Sequence, residues 1–449
     1  MRPALLARVA LAASTLITVA GPAAANGRFP AAGQLVIDPQ DPDRLLLRAT
    51  YGFVQSSDGG ATWSWICEQA IGFSGVEDPA VAYLSEHTVI AGLSSGLSRN
   101  VDAGCSWTLL GGALEGEYVI DVSADKNEPS RAIAITVTPI AGGLHSIVAT
   151  STDAGATWQQ SGAELGTDLR AVTVDAAPSD PHRIYVSGLV EPSFDAVLVR
   201  SDDGGATWTR FVHPAITGVP YLSAVDPDDA DRIYVCVHGT DNDSVYVSND
   251  GGNTLELLAE RPGEMLGFAL SPDGSRIAIG GPAFGLQIAD SETASFGAVS
   301  DVRVRCLTWT ATTLYICAGQ ATDGFTLAAS TDDGETIEPL YHLTDLAPLA
   351  CDGSTPVDQL CPANWPGTAD LLGIVTEPPT TSTGGAGGQG AGGAAADGVG
   401  EEGGGCCSTA GAASRGRGAA LLAFALGATS FAARYRAGRR ARRQPRRRS

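Results

Sequence analysis

The sequence predicts an all-β protein: a single propeller of seven blades, with four antiparallel strands in each. Three observations carry that prediction. A short box of the form S-x-D-x-G-x-[ST]-aromatic recurs down the chain. Its copies stand 41–51 residues apart, the length of one four-stranded blade. Around each copy, β-branched and aromatic residues alternate with small or polar ones, and Gly, Asp and Pro turns separate the runs.

The first copy is Ser56, Asp58, Gly60, Thr62 and Trp63. The second starts at Asn100 and continues with Asp102, Gly104, Ser106 and Trp107. The third is Ser151, Asp153, Gly155, Thr157 and Trp158, and the fourth is Ser201, Asp203, Gly205, Thr207 and Trp208. The fifth has Ser248, Asp250, Gly252 and Thr254 and ends in Leu255. A sixth, "ADSETASF" at 289–296, keeps only Ser295 and Phe296. The seventh is Ser330, Asp332, Gly334 and Thr336, ending in Ile337. Strands are legible around each box. In the fourth unit "LRAVTVDA", "RIYVSGLV" and "AVLVRS" precede the box and "TWTRFV" follows it. The propeller is expected over 26–345, long enough for an ample core because blades stack face to face.

The box falls where the chain must reverse between the third and fourth strands. Gly at its fifth position adopts positive φ without a Cβ clash. Ser, Asp and Thr side chains accept bonds from loop amides that otherwise lack partners. The aromatic opens the fourth strand and packs between blades. Seven near-copies around a ring cannot all be an active site, and one carboxylate with hydroxyls is a poor calcium site. The aspartates therefore read as turn-builders.

The motif resembles the Asp-box, or BNR, repeat of sialidases, sortilin-type receptors, xyloglucanases and photosystem assembly factor propellers. The resemblance covers about seven tenths of the chain and implies the fold, since these families share blades rather than chemistry. A sialidase would bring a Phe/Tyr-Arg-Ile-Pro start, an arginine triad and a Tyr–Glu pair. The nearest start, "GRFPAAG" at 27–33, lacks the Ile. Arg170, Arg200, Arg303 and Arg305 lie in blade strands, and Arg44, Arg183 and Arg232 follow D-P turns, which suggests a scaffold role. Xyloglucanases use two carboxylates across a cleft between two propellers, and one propeller fits here. Glu77, Asp78, Glu117, Asp121, Glu191 and Asp195 are placed in inter-strand loops, and a pair of them is what a hydrolase would need.

The six histidines (87, 145, 182, 213, 238, 342) show no zinc-ligand spacing. No phosphate- or dinucleotide-binding fingerprint appears, so no cofactor is expected. Asp226, Asp228, Asp229 and Asp231, with Asp241 and Asp243, are the best calcium candidates, although polar turns explain them and no metal site is assigned.

The ends read as targeting segments. Arg2 and Arg8, an apolar run and Ala23-x-Ala25 describe a signal peptide over 1–25. After the propeller, 346–377 reads as a Cys-containing extension packed on it. The Gly-rich 378–405 cannot build a core and reads as a tether. Cys406 and Cys407, the apolar helix 418–433 and nine arginines from Arg434 to Arg448 complete 406–449. That end resembles the MYXO-CTERM sorting signal, which implies a processing protease, a membrane and attachment to the cell surface or outer membrane near Cys406 and Cys407. Fifteen Lys and Arg against 50 Asp and Glu leave 27–405 at −35, which repels nucleic acid and anionic lipid.

An exported chain permits disulfides. Cys351 and Cys361 are expected as a local clamp. Cys306 and Cys317 are expected to bridge opposed strands if a two-residue turn falls at Ala311-Thr312, although exchange with Cys351 would also work. Cys67 and Cys105 remain as a pair, and Cys236 is left as a buried thiol. With no complete catalytic constellation, the expected function is non-enzymatic recognition of a protein, peptide or glycan. The alternatives are a glycoside hydrolase using loop carboxylates and an envelope assembly factor.

Overall fold

The computed structural model describes residues 30–75 and 77–375. The predicted signal segment, the tether 378–405, Cys406, Cys407 and the apolar run 418–433 lie outside them. Seven four-stranded antiparallel sheets follow one another, over 32–66, 80–109, 119–160, 169–213, 219–262, 267–300 and 306–341. Blade 4 carries the strands foreseen around its box, Leu169–Ala177, Asp180–Val190 and Asp195–Ser201, and blade 5 repeats them as Val219–Val225, Ile233–His238 and Asn242–Ser248.

Each blade is covered on both faces by its neighbours, so central strands bury consecutive residues instead of alternating ones: Ile184 to Leu189 are all buried. Close approach needs missing side chains. A Cβ on Gly280 of blade 6 would stand 2.5 Å from Val304, at the entry to blade 7. Blade 3 carries an extra hairpin, Thr138–Ile140 with Gly143–His145, between its second and third strands. It fills the 51-residue gap between the second and third boxes.

The ring closes without sharing strands. Blade 1 is wholly N-terminal and blade 7 wholly C-terminal. The chain then returns to blade 1, where Leu346–Pro348 pairs parallel to the outer strand Trp63–Ile66 as a fifth strand. The helix Pro356–Leu372 follows, started by Thr355, whose hydroxyl caps the Asp358 amide, and ended at Gly373 in the left-handed region.

The disulfides correct the expected pairing. Cys67 joins Cys361, and Cys105 joins Cys351, across 294 and 246 residues. The local clamp between Cys351 and Cys361 does not form, because the helix carries Cys361 onto the end of blade 1 while Cys351 meets the box of blade 2. Cys67 and Cys105, on separate blades, each take a partner from the extension instead of each other. Cys306 and Cys317 are opposed in register and bridged. Cys236 is buried and forms no disulfide among the described residues.

Candidate functional site

An up-and-down blade puts its first and third turns on one rim and its second turn, with the link to the next blade, on the other. The boxes therefore share a rim with the first turns, and the longer loops share the opposite one.

On the box rim the hydrogen bonds repeat from blade to blade. In the third blade the Ser151 hydroxyl donates to Asp153 Oδ1 at 2.8 Å and accepts from the Gly155 amide at 3.0 Å. The two Asp153 oxygens accept the Thr157 amide and hydroxyl at 2.9 and 2.6 Å. The same pattern holds at Asp58, Asp203 and Asp250. The Asp332 carboxylate takes the Ser330 hydroxyl and the Thr336 amide. In the second blade Asn100 replaces serine, and its amide reaches Asp102. Trp63, Trp107 and Trp158 each turn the indole N–H back onto the carbonyl of their own box glycine. The Thr157 and Thr207 hydroxyls, then their amides, hold the Asp153 and Asp203 carboxyls down to about 2. At Asp250 burial pulls the other way, and the Thr254 amide and hydroxyl outweigh it. A carboxylate saturated by its own loop has no free lone pair pattern for chemistry.

The fourth box position is a feature the sequence reading missed. Gly59, Ala103, Ala154, Gly204, Gly251 and Asp333 all have φ between 52 and 72°. Its amide pins the box to the first turn of the same blade, as Gly204 does on His182 O at 2.9 Å. Its carbonyl receives the neighbouring blade: Gln55 reaches Ala103 O, Arg99 reaches Ala154 O, and Arg200 reaches Gly251 O. Blade 6 keeps the pin through Ser291 on Ser275 O, while Asp290 replaces the box by accepting the Glu292 and Thr293 amides.

On the loop rim the predicted carboxylates are dispersed. Glu77 accepts the Ser94 amide and hydroxyl. Glu117 accepts the Thr138 hydroxyl at 2.6 Å, with His145 at 3.9 Å. Glu191 takes Arg170 Nε at 3.0 Å. The Asp195 carboxylate is left without a protein partner among the described residues. Asp121 is not in a loop: it lies in the inner strand Val119–Ala124, with 0% exposure. Burial pushes its carboxyl well up, and its oxygens accept the Val122 and Val174 amides. Asp175 is likewise buried, pushed up by that burial, and bonded to the Ser123 hydroxyl. Neither acid meets solvent.

The calcium candidates act as turn acceptors. Asp226 takes the Asp228 and Asp229 amides, Asp231 pairs with Arg183, and Asp243 takes His238 and the Gly239 and Met265 amides. No group of three or more His, Cys, Asp or Glu among the described residues is placed to hold a metal ion.

Among the described residues, seven other than glycine have positive φ. Three are fourth box positions, and Ala294 closes the substitute turn of blade 6. The other three are Glu86, His87 and Phe194. Phe194 stands at the second turn of blade 4, on the loop rim, and is 44% exposed. Its φ of 60° costs a bulky residue about 1–2 kcal/mol. Ile140, at the tip of the extra hairpin in the neighbouring blade, is 45% exposed.

No protein-family model matches the chain. Over 211 residues, 39% of the chain, it is 29% identical to a xyloglucanase from a Paenibacillus species. The match spans a fifth of that enzyme's length. An ancestral GH74 enzyme superposes with a TM-score of 0.54 at 14% identity, over 70% of this chain and 46% of the other. The likeness is one of fold. YCF48 bound to a D1 peptide is a looser neighbour, with a TM-score of 0.42 at 17% identity, over 57% and 80% of the two chains.

Proposed function

We propose that this protein is an exported, surface-anchored propeller that binds an extracellular glycan on its loop rim without cleaving it. Phe194 is the observation that carries the reading. A solvent-facing aromatic held at unfavourable φ, on the same rim as an exposed Ile140 of the adjoining blade 3, suits stacking against an apolar sugar face better than it suits the fold. The partial sequence match to a xyloglucanase favours a glycan over a peptide. Glu77, Glu117 and Glu191 are engaged by protein donors and Asp121 is sealed in the wall; Asp195 is open but is one carboxylate where hydrolysis uses two, which favours binding over cleavage. The predicted leader, tether and Cys406-Cys407 tail support display at the surface.

Retention on insoluble polysaccharides, xyloglucan included, tests the reading directly. The chain is expected to be retained without new reducing ends, and Phe194→Ala to lower retention about tenfold, the loss of one stacking contact. The xyloglucanase match also supports a hydrolase. Reducing sugar released by the wild type and abolished by a loop-rim carboxylate variant would establish that reading instead.

A further inference from the structure

The first turns of blades 1 and 2 meet the boxes of the same blades around a cavity of about 220 Å³. Its walls include Arg44, Tyr83, His87, Ser64, Trp107 and Leu349. Leu349 belongs to the extension, which crosses the cleft as a strap. Its amide is bonded to Trp65 O at 3.0 Å, and the disulfide from Cys351 to Cys105 fixes it two residues on.

Three features of this cleft suit a ligand. Tyr83 is 7% exposed, yet no protein group among the described residues hydrogen-bonds its hydroxyl. The hydroxyl is not sealed in the wall and faces the cleft, where it is open to a ligand's hydrogen bond. Burial, then the charge of Asp38, pushes that hydroxyl up, so it stays protonated and able to donate. Second, His87 Nδ1 lies 2.6 Å from Asp38 Oδ2, whose side chain is fully buried. A carboxylate only accepts, so the proton is assigned to Nδ1 and Nε2 is left as an acceptor. Third, Glu86 and His87 are both left-handed, with φ of 58 and 57°, in a turn tied down by the Glu86 amide on Gln40 Oε1. Side chains other than glycine rarely adopt this conformation, and here two do so in succession. The turn is strained in the conformation that presents the imidazole.

We propose that this cleft binds a small, uncharged, polyhydroxylated molecule of monosaccharide size. The volume lies below the usual range for drug-sized ligands, about 300–1,000 Å³, and suits one ring. Charge selects the class. Arg44 is already paired with Asp41 at 3.1 Å and His87 with Asp38, so neither offers spare positive charge to an anion. The box carboxylates of Asp58 and Asp102 are occupied by their own loops, which disfavours a cation. What remains is an unpaired Tyr83 hydroxyl, an acceptor at His87, a hydroxyl at Ser64, and apolar walls at Trp107 and Leu349. That mixture of donors, acceptors and one apolar face matches a sugar ring. The cleft is on the box rim, opposite Phe194, so this proposal and the loop-rim reading fail independently.

Saturation-transfer NMR of the full chain with D-xylose and D-glucose, and with acetate and citrate as charged probes, tests it. Signal from at least one sugar is expected, with a Kd in the millimolar range, the scale for few-contact ligands of about 4 kcal/mol. Tyr83→Phe removes one oxygen and keeps the packing, and is expected to weaken binding about tenfold. His87→Asn, a residue that tolerates positive φ, is expected to do the same. Melting temperatures without sugar report on folding; if His87→Asn fails to fold, Tyr83→Phe carries the test. No signal from either sugar, equal signal in wild type and Tyr83→Phe, or preference for the carboxylates would each overturn the proposal.

Discussion

From blade 3 to blade 7 each blade grips the next through an arginine at the start of its second strand. Arg131 reaches Pro181 O at 2.6 Å, Arg183 pairs with Asp231, Arg232 takes Ser291 O and Glu292, and Arg276 pairs with Asp333. Where blade 7 meets blade 1 the same position is Thr313. There the Trp63 indole donates to Leu340 O, the Tyr51 and Tyr341 hydroxyls meet at 3.1 Å, and Thr308 bonds Leu35 O. The extension adds a fifth strand and two long-range disulfides. The difference follows connectivity. Blades 3 to 7 are already joined by short links, so a polar clasp is enough. Blades 7 and 1 are joined only through the whole ring, and closing that loop costs the most entropy.

The largest expected effect breaks this comparison at its strongest point. Replacing Cys67 and Cys361 by Ala should lower stability by about 3–5 kcal/mol, read as a fall in the urea midpoint under oxidising conditions. Replacing Cys306 and Cys317, whose loop is 11 residues, should cost about 2 kcal/mol less. Equal losses would show that the long bridge does not serve closure.

The box should rank next. Ser151 is 2% exposed, and its hydroxyl answers the Gly155 and Asp153 amides. Ser151→Ala leaves them unpaired and should cost about 1–3 kcal/mol, measured by urea unfolding. A smaller loss than that of a clasp variant would reverse the ranking of turn over clasp.

These results bear on what was legible in the residues. Blade count, strand order and the box as a turn could be read because each uses local chemistry: a period, an alternation, an Asx-type acceptor. The opposed pair Cys306–Cys317 was readable for the same reason, since one tight hairpin sets it. The pairs Cys67–Cys361 and Cys105–Cys351 were not, because they depend on where an extension lands after a full turn of the ring. Asp121 misled because a lone acid between apolar residues reads as a loop, whereas two backbone amides accommodate it in a strand. Ala103, Ala154 and Asp333 hide a left-handed position that Gly59, Gly204 and Gly251 advertise. The cleft holding Tyr83 and His87 gave no motif at all, since its parts come from the first turns of two blades and the extension.

Acid should separate the box rim from the rest. The Asp153 and Asp203 carboxyls titrate near 2 in the fold, below the ordinary carboxylate range. Their contribution is therefore complete above about pH 4 and is lost as pH falls from there through about 2. Thermal unfolding between pH 5 and 2 should show that loss, and Asp153→Asn should flatten it. An unchanged slope in the variant would detach the box from acid sensitivity.

A clasp should matter less than a box. Arg183 bridges Asp202 and Asp231, both about half exposed. Arg183→Met keeps much of the stem packed over Tyr185 and removes the charge. About 1 kcal/mol should be lost in dilute buffer and less at high salt. A salt-independent loss would point to packing instead of pairing.

The smallest effect has the opposite sign. Ala103 is exposed, holds φ of 56°, and offers its carbonyl to Gln55 at 2.7 Å. Ala103→Gly keeps that acceptor and relieves the left-handed strain, about 1 kcal/mol, while making the unfolded chain more flexible. The net expectation is a gain of about 0.5 kcal/mol, visible as a higher urea midpoint with unchanged slope. The same substitution at Ala154 also removes a buried methyl from between blades 2 and 3, so it should gain nothing. If Ala103→Gly destabilises as much as a glycine placed mid-strand, the fourth position is not strained, and the inter-blade contact at its carbonyl is set by the side chain instead of by the turn.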